Sequence, residues 1–290
     1  AYAFYGEAER DGRFEINRDL LVAASFAAFI FALLVMTNGI ATTIGAAVLG
    51  FAYLNAQRMK DWPSLPWAMV ASAIFVAGRI AWEPTIVGAE SLSTTPVFNQ
   101  LLAGYGIPAA LLVASAWLTR SSPDFRLRSV LEALATLFTL LTIAILVRHA
   151  MNKGVLTSDV PTLAEQAIYT LLAVGASATL MGLDLRRPSI IFRTGSMAIG
   201  YISMASVVIA HLLTLNPYFT GESTGSIPFF NLLFLAYLLP GIAYGGAAWM
   251  ANTRRPRHYV IGLVLTGAAL IFSYVTLSVR RFYHGADISD

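Results

Sequence analysis

Pro96-Val97-Phe98-Asn99, running on to Trp117, recurs as Pro228-Phe229-Phe230-Asn231, running on to Trp249. One ungapped offset of 132 residues pairs Phe98 with Phe230, Asn99 with Asn231, Tyr105 with Tyr237, Pro108 with Pro240 and Trp117 with Trp249. It still holds one helix later, where Arg148 pairs with Arg280. Chance matches between apolar helices are mostly Leu, Ala or Val. Matches of Asn, Pro, Tyr, Trp and Arg point instead to an internal duplication.

Composition sets the medium. The chain is 57% hydrophobic and 12% charged, with a mean hydropathy of +0.67. A soluble domain carries about 25% charged residues. There is too little polar surface here to cover a particle in water, so the class is an all-α, polytopic integral membrane protein whose first partner is the lipid bilayer. The absence of cysteine excludes disulfides, thiolate metal sites and cysteine nucleophiles. No soluble basic domain stands apart from the apolar runs, so nucleic-acid binding has no support.

A spanning helix needs about 20 mainly apolar residues. After a polar segment, spans are predicted at 19–37, 40–57, 65–83, 97–119, 128–150, 163–184, 191–215, 228–252 and 258–282, nine in all. Only Thr37-Asn38-Gly39 parts the first two, and Asn-Gly is a turn dipeptide, so a tight helical hairpin is expected there. The arginines divide by side. Arg10, Arg13, Arg18, Arg58, Arg120, Arg126, Arg128, Arg186, Arg187, Arg193, Arg254, Arg255 and Arg257 fall on one, with Lys60. Only Arg79, Arg148, Lys153, Arg280 and Arg281 fall on the other. The positive-inside rule makes the N-terminus cytoplasmic and the C-terminus external. Residues 1–39 then hold a polar segment and the first span, 40–154 a four-helix repeat and 163–285 its copy. An even span count gives the copies one orientation, unlike inverted transporter repeats. The unpaired first span suggests a longer parent chain. Small residues four apart, such as Ala46 with Gly50 and Gly241 with Gly245, suit close helix packing.

Pro96 and Pro228 are expected at helix starts, where proline is tolerated. Pro108 and Pro240 lie mid-span and should kink their helices, releasing the carbonyls of Gly104 and Ala236. Asn99 and Asn231 are expected one turn inside the external helix ends, level with Arg148 and Arg280 on the following helices. Arg79 and Glu83 form an i,i+4 pair, and Glu90 and Glu222 lie in loops above. The offset pairs Arg79 with His211. The candidate ligand-binding set is therefore Asn99, Arg148, Asn231, Arg280, Arg79, Glu83, His211 and Glu222. Charge inside a membrane is usually paired or functional. Three uses are open: interhelical bonds that lock the bundle, snorkelling to headgroups, or binding of an anionic group such as a lipid phosphate or glycan carboxylate through the guanidinium fork. His211 is also a candidate proton carrier, against a packing hydrogen bond. Trp117 and Trp249 suit an interfacial belt. The histidines lack ligand spacing, and no nucleophile elbow or Walker loop occurs, so no catalytic residue, metal or cofactor is assigned.

The pattern Pro-x-Phe-Asn, Tyr-x-x-Pro, Ala-Trp, then a helix ending in Val-Arg, together with Val279-Arg280-Arg281-Phe282-Tyr283-His284-Gly285, resembles the C-terminal part of large bacterial predicted membrane proteins of the domain-of-unknown-function 2339 family. The resemblance implies a bacterial inner-membrane location and long arrays of helices. It brings no catalytic residues. Three functional readings follow: a non-enzymatic module that binds or moves an envelope lipid, glycan or small anion at its external face; a structural or assembly protein of the envelope; and a membrane-embedded enzyme.

Overall fold

The computed structural model describes residues 14–86, 92–156 and 162–289. Glu90 and the charged segment before residue 14 lie outside them. Among the described residues the chain is helical, without strands.

The chain divides into two compact units, Ala1–Leu156 and Thr157–Asp290. The first holds α1 (Phe14–Met36), α2 (Gly39–Ala56), α3 (Trp67–Trp82), α4 (Ile107–Leu118) and α5 (Phe125–Met151). The second holds α6 (Leu163–Arg186), α7 (Ile190–Ser206), the single turn α8 (Pro217–Thr220), α9 (Leu239–Ala251) and α10 (Arg257–His284). Seven helical stretches are long and apolar enough to cross a membrane; Trp67–Trp82 and Leu102–Leu118 are apolar but shorter. By length, then, seven of the nine expected spans are present. At about 1.5 Å per residue, the 16 residues of α3 fall short of a bilayer's hydrocarbon thickness of about 30 Å.

The break between α1 and α2 is made by Thr37 and Asn38, with Gly39 at φ 56°. A left-handed φ costs glycine little. Thr37 Oγ1 closes the turn by donating to the Leu33 carbonyl at 2.6 Å.

Each proline in mid-helix is preceded by a π-helical turn, Leu102–Gly106 before Pro108 and Phe234–Leu238 before Pro240. Proline lacks an N–H and its ring crowds the carbonyl four residues back. A wider turn accommodates both defects, and such π-bulges are a recognised source of helix bends. A third π segment, Val207–Thr214, continues α7.

In the first unit α2 packs on α3 and α4, and α4 on α5; in the second α6 packs on α7 and α9, and α9 on α10. The cores centre on Met69, Leu101, Tyr105 and Phe138, and on Met181, Leu233, Tyr237 and Tyr244. Close approach depends on small residues. A Cβ on Gly50 would collide with Ser72, and one on Gly241 with Ile271 beside the Gly267 carbonyl. The outer faces leave Phe31, Ile74, Ile202 and Phe272 exposed. In water such surface would aggregate; in a bilayer it is solvated by acyl chains.

Candidate functional site

The repeated asparagines sit at helix starts. Helical residues begin at Gln100 and Leu232, directly after Asn99 and Asn231. Asn99 Oδ1 accepts from the N–H groups of Leu101 at 2.9 Å and Leu102 at 3.3 Å. Asn231 Oδ1 accepts from that of Phe234 at 3.1 Å. Both therefore act as N-caps, satisfying donors that a helix start leaves orphaned. This corrects the expectation that they lie a turn inside the helix. Pro96 and Pro228 correspondingly fall in the preceding loop, not at the first helical position.

The Asn99 amide also reaches α5, where it meets His149 rather than the neighbouring Arg148. Asn99 Nδ2 lies 3.1 Å from His149 Nδ1, and His149 Nε2 lies 2.8 Å from the Ser93 carbonyl. A carbonyl can only accept, so Nε2 carries the proton and Nδ1 accepts from the amide. His149 is fully buried in this position. Arg148 Nε donates to the Leu156 carbonyl at 3.4 Å, holding the chain that leaves α5.

At the end of α10 the geometry is parallel. Arg280 Nε donates to the Ile288 carbonyl, and its guanidinium lies 4.8 Å above the Tyr218 ring. Arg281 spreads its fork over the loop before the π-turn: Thr224 Oγ1 at 2.9 Å, and the carbonyls of Gly225 at 2.6 Å, Ile227 at 3.1 Å and Pro228 at 3.2 Å. Thr224 in turn binds the Ala286 carbonyl through its N–H and its hydroxyl. Glu222 lies half-buried in the same loop.

Arg79 turns toward the start of α2, with Nη2 3.2 Å from the Gly39 carbonyl and Nε 3.4 Å from Thr43 Oγ1. The expected pair with Glu83 on one helix face is not built, because α3 ends at Trp82 and Glu83 takes φ −135°, ψ 88°. Glu83 instead accepts from Thr85 Oγ1. Arg79 and Glu83 do share a recess of about 410 Å³ with Phe75, Gly78, Trp82 and Ile86. Ile86, at φ 61°, presses against Gly104 in the π-turn, and Tyr105 donates to the Pro84 carbonyl. A β-branched residue rarely adopts that φ, so the recess wall is a constrained segment.

His211 lies apart from the loop cluster, fully buried in the π segment of the second unit. Its Nε2 meets Thr170 Oγ1 at 3.0 Å, and its own carbonyl accepts from Tyr237 at 2.7 Å. Nδ1 has no partner among the described residues.

Sequence reasoning passed over His149, Arg281 and a buried ion pair, Arg255 Nη1 to Asp184 Oδ2 at 2.9 Å. For the first two a signal existed: the offset of 132 pairs His149 with Arg281, and both are donors beside a repeated arginine. For the third the only hint was a carboxylate ending an apolar span.

The chain matches no curated protein and no solved structure. The family model described as a predicted membrane protein (DUF2339) matches residues 3–290, and the chain belongs to that family.

Proposed function

We propose that this chain is a non-enzymatic, nine-span structural or assembly module of the bacterial inner membrane, built from two like-oriented four-helix repeats at 40–154 and 163–285. In this reading α3 and Leu102–Leu118 also cross the bilayer, with the N-terminus cytoplasmic and the C-terminus external. The partition of arginines between loops supports the orientation. One observation carries the structural role. Polar groups expected to meet a ligand bind the chain's own backbone: Asn99 and Asn231 cap helices, and Arg148 and Arg280 reach carbonyls eight residues on. Beside Arg280, Arg281 engages three loop carbonyls and the Thr224 hydroxyl. Loops held this firmly would fix the ends of the bundle.

A second reading, binding of an envelope lipid, glycan or small anion, is favoured by the recess where the Arg79 guanidinium meets apolar walls. Thermal unfolding of the purified chain separates the two. The structural role expects Asn99→Ala and Arg281→Lys to melt below the parent with nothing added. Parent-like melting of both, together with loss of a stabilising effect of added lipid in Arg79→Gln, would favour binding instead.

A further inference from the structure

We propose that the recess beside Arg79 and Glu83 binds the headgroup of a zwitterionic phospholipid, with its phosphate on Arg79 and a primary ammonium on Glu83. The inference rests on the binding reading of that recess and names its ligand. The recess is lined by one cation, one anion and the apolar groups of Phe75, Gly78, Trp82 and Ile86. Among the described residues no ion pair joins the two charges, because α3 ends at Trp82 and Glu83 leaves the helix at φ −135°, ψ 88°. Arg79 is half-buried and spends Nη2 on the Gly39 carbonyl at 3.2 Å and Nε on Thr43 Oγ1 at 3.4 Å, which leaves Nη1 unbonded among the described residues. Glu83 is exposed; its Oε1 accepts from Thr85, and its Oε2 has no bond among the described residues.

The walls are fixed by the chain itself. The Ile86 N–H donates to the Glu83 carbonyl at 3.0 Å, closing a turn at the start of the loop. Tyr105 holds the Pro84 carbonyl, and Ile86 lies against Gly104. Gly78 keeps the space open, since a Cβ there meets nothing within 4 Å. The second unit is built differently at this place. The offset of 132 pairs Gly78, Arg79 and Glu83 with Ala210, the buried His211 and Leu215, and there the helical run continues through Val207–Thr214. The charged recess is therefore not a product of the repeated architecture.

A zwitterion suits this set. A guanidinium favours a phosphate through charge-assisted hydrogen bonds, and a carboxylate favours an ammonium that has N–H groups to give. A purely anionic headgroup would set like charge against Glu83, and a quaternary ammonium has no N–H for it. A recess of about 410 Å³ with mostly apolar walls and few polar groups has the usual form of a small-molecule site. On the nine-span reading α3 crosses the bilayer, and it is bounded by exposed tryptophans, Trp67 and Trp82, the residue type that marks a membrane interface. The recess lies at the Trp82 end and so opens at the depth of phospholipid headgroups. A span of only 16 residues also draws headgroups inward by local thinning of the bilayer.

The test uses the full chain in detergent, supplied equally with phosphatidylethanolamine, phosphatidylglycerol and phosphatidylcholine, and counts retained lipids by native mass spectrometry. The parent should retain phosphatidylethanolamine over both others. Glu83→Gln, a nearly isosteric change at an exposed position, should lower its ratio to phosphatidylglycerol by about fivefold, the worth of one partly screened charge pair. Gly78→Leu, which puts a side chain into the open space of the recess, should abolish the preference. Asp61→Asn, an exposed carboxylate before the other end of α3, should leave it unchanged. Equal retention of the three lipids by the parent overturns the proposal. So does an unchanged ratio in folded Glu83→Gln and Gly78→Leu, which would remove the recess as a binding site altogether. A parent that prefers phosphatidylglycerol, and loses that preference in Gly78→Leu, would keep the binding reading and overturn the zwitterion. Full displacement of phosphatidylethanolamine by millimolar phosphoethanolamine would assign the recess to a soluble zwitterion and overturn the lipid assignment.

Discussion

The amide nitrogen of Asn99 lies 3.1 Å from Nδ1 of His149, joining the start of one helix to the end of the next across a partly buried contact. The oxygen of that amide caps its own helix. One side chain thus fixes a helix start and the packing of its neighbour. Removing a cap costs about 1 kcal/mol. Asn99→Ala should cost more than that, and more than Asn231→Ala, because it also strands His149. Asn99→Ser should recover the cap alone. Melting temperatures of the three variants check the order, and a double-mutant cycle with His149→Ala should give a coupling of about 0.5 kcal/mol or more.

Arg281 holds four acceptors of one loop, which a planar fork can do and an ammonium cannot. The site is partly exposed, so Arg281→Lys should cost only about 1–2 kcal/mol. The local effect should be larger than the global one. Amide exchange at 221–228 should accelerate strongly while the core of the second unit stays protected.

Asp184 and Arg255 form a pair whose side chains are each 3% exposed. Removing one partner leaves a buried charge, at a cost of about 3–5 kcal/mol. Asp184→Leu alone should therefore unfold the second unit at a much lower temperature. Asp184→Leu combined with Arg255→Met should recover most of the loss. Failure of the double variant to recover would mean that the bonds to Ser189 and Ser196 matter more than the charges.

Gly241 and Gly245 are alike in sequence spacing but not in surroundings. A Cβ at Gly241 would sit 2.8 Å from Ile271 and 3.3 Å from the Gly267 carbonyl, whereas one at Gly245 meets nothing within 4 Å. Gly241→Val should overpack the contact between α9 and α10, at about 1–3 kcal/mol. Gly245→Ala should be neutral or stabilising, since alanine is the better helix former by about 1 kcal/mol. Thermal unfolding of the two variants in one detergent decides the matter.

The chain contains no cysteine, so single introduced thiols report cleanly. For the orientation proposed above, a cysteine at Ser122 should be protected from an impermeant thiol reagent in intact cells, and one at Ser223 should react. The opposite pattern would invert the topology.

The sequence alone determined the medium, the helical class and the position of nearly every helix, because apolar run length and turn dipeptides are local properties. It also located the paired prolines, though not that the backbone answers them with π-turns. Partner choice was out of reach. Core and lipid-facing surfaces are both apolar, so a spanning helix has little amphipathic signal to say which face is buried. Asn99 meets His149 and not Arg148 because adjacent helical residues point about 100° apart, and helix rotation selects between them. Asp184 finds Arg255 from 71 residues away through the packing of α6 against α9. Such contacts depend on rotation and close approach, which only the folded bundle fixes.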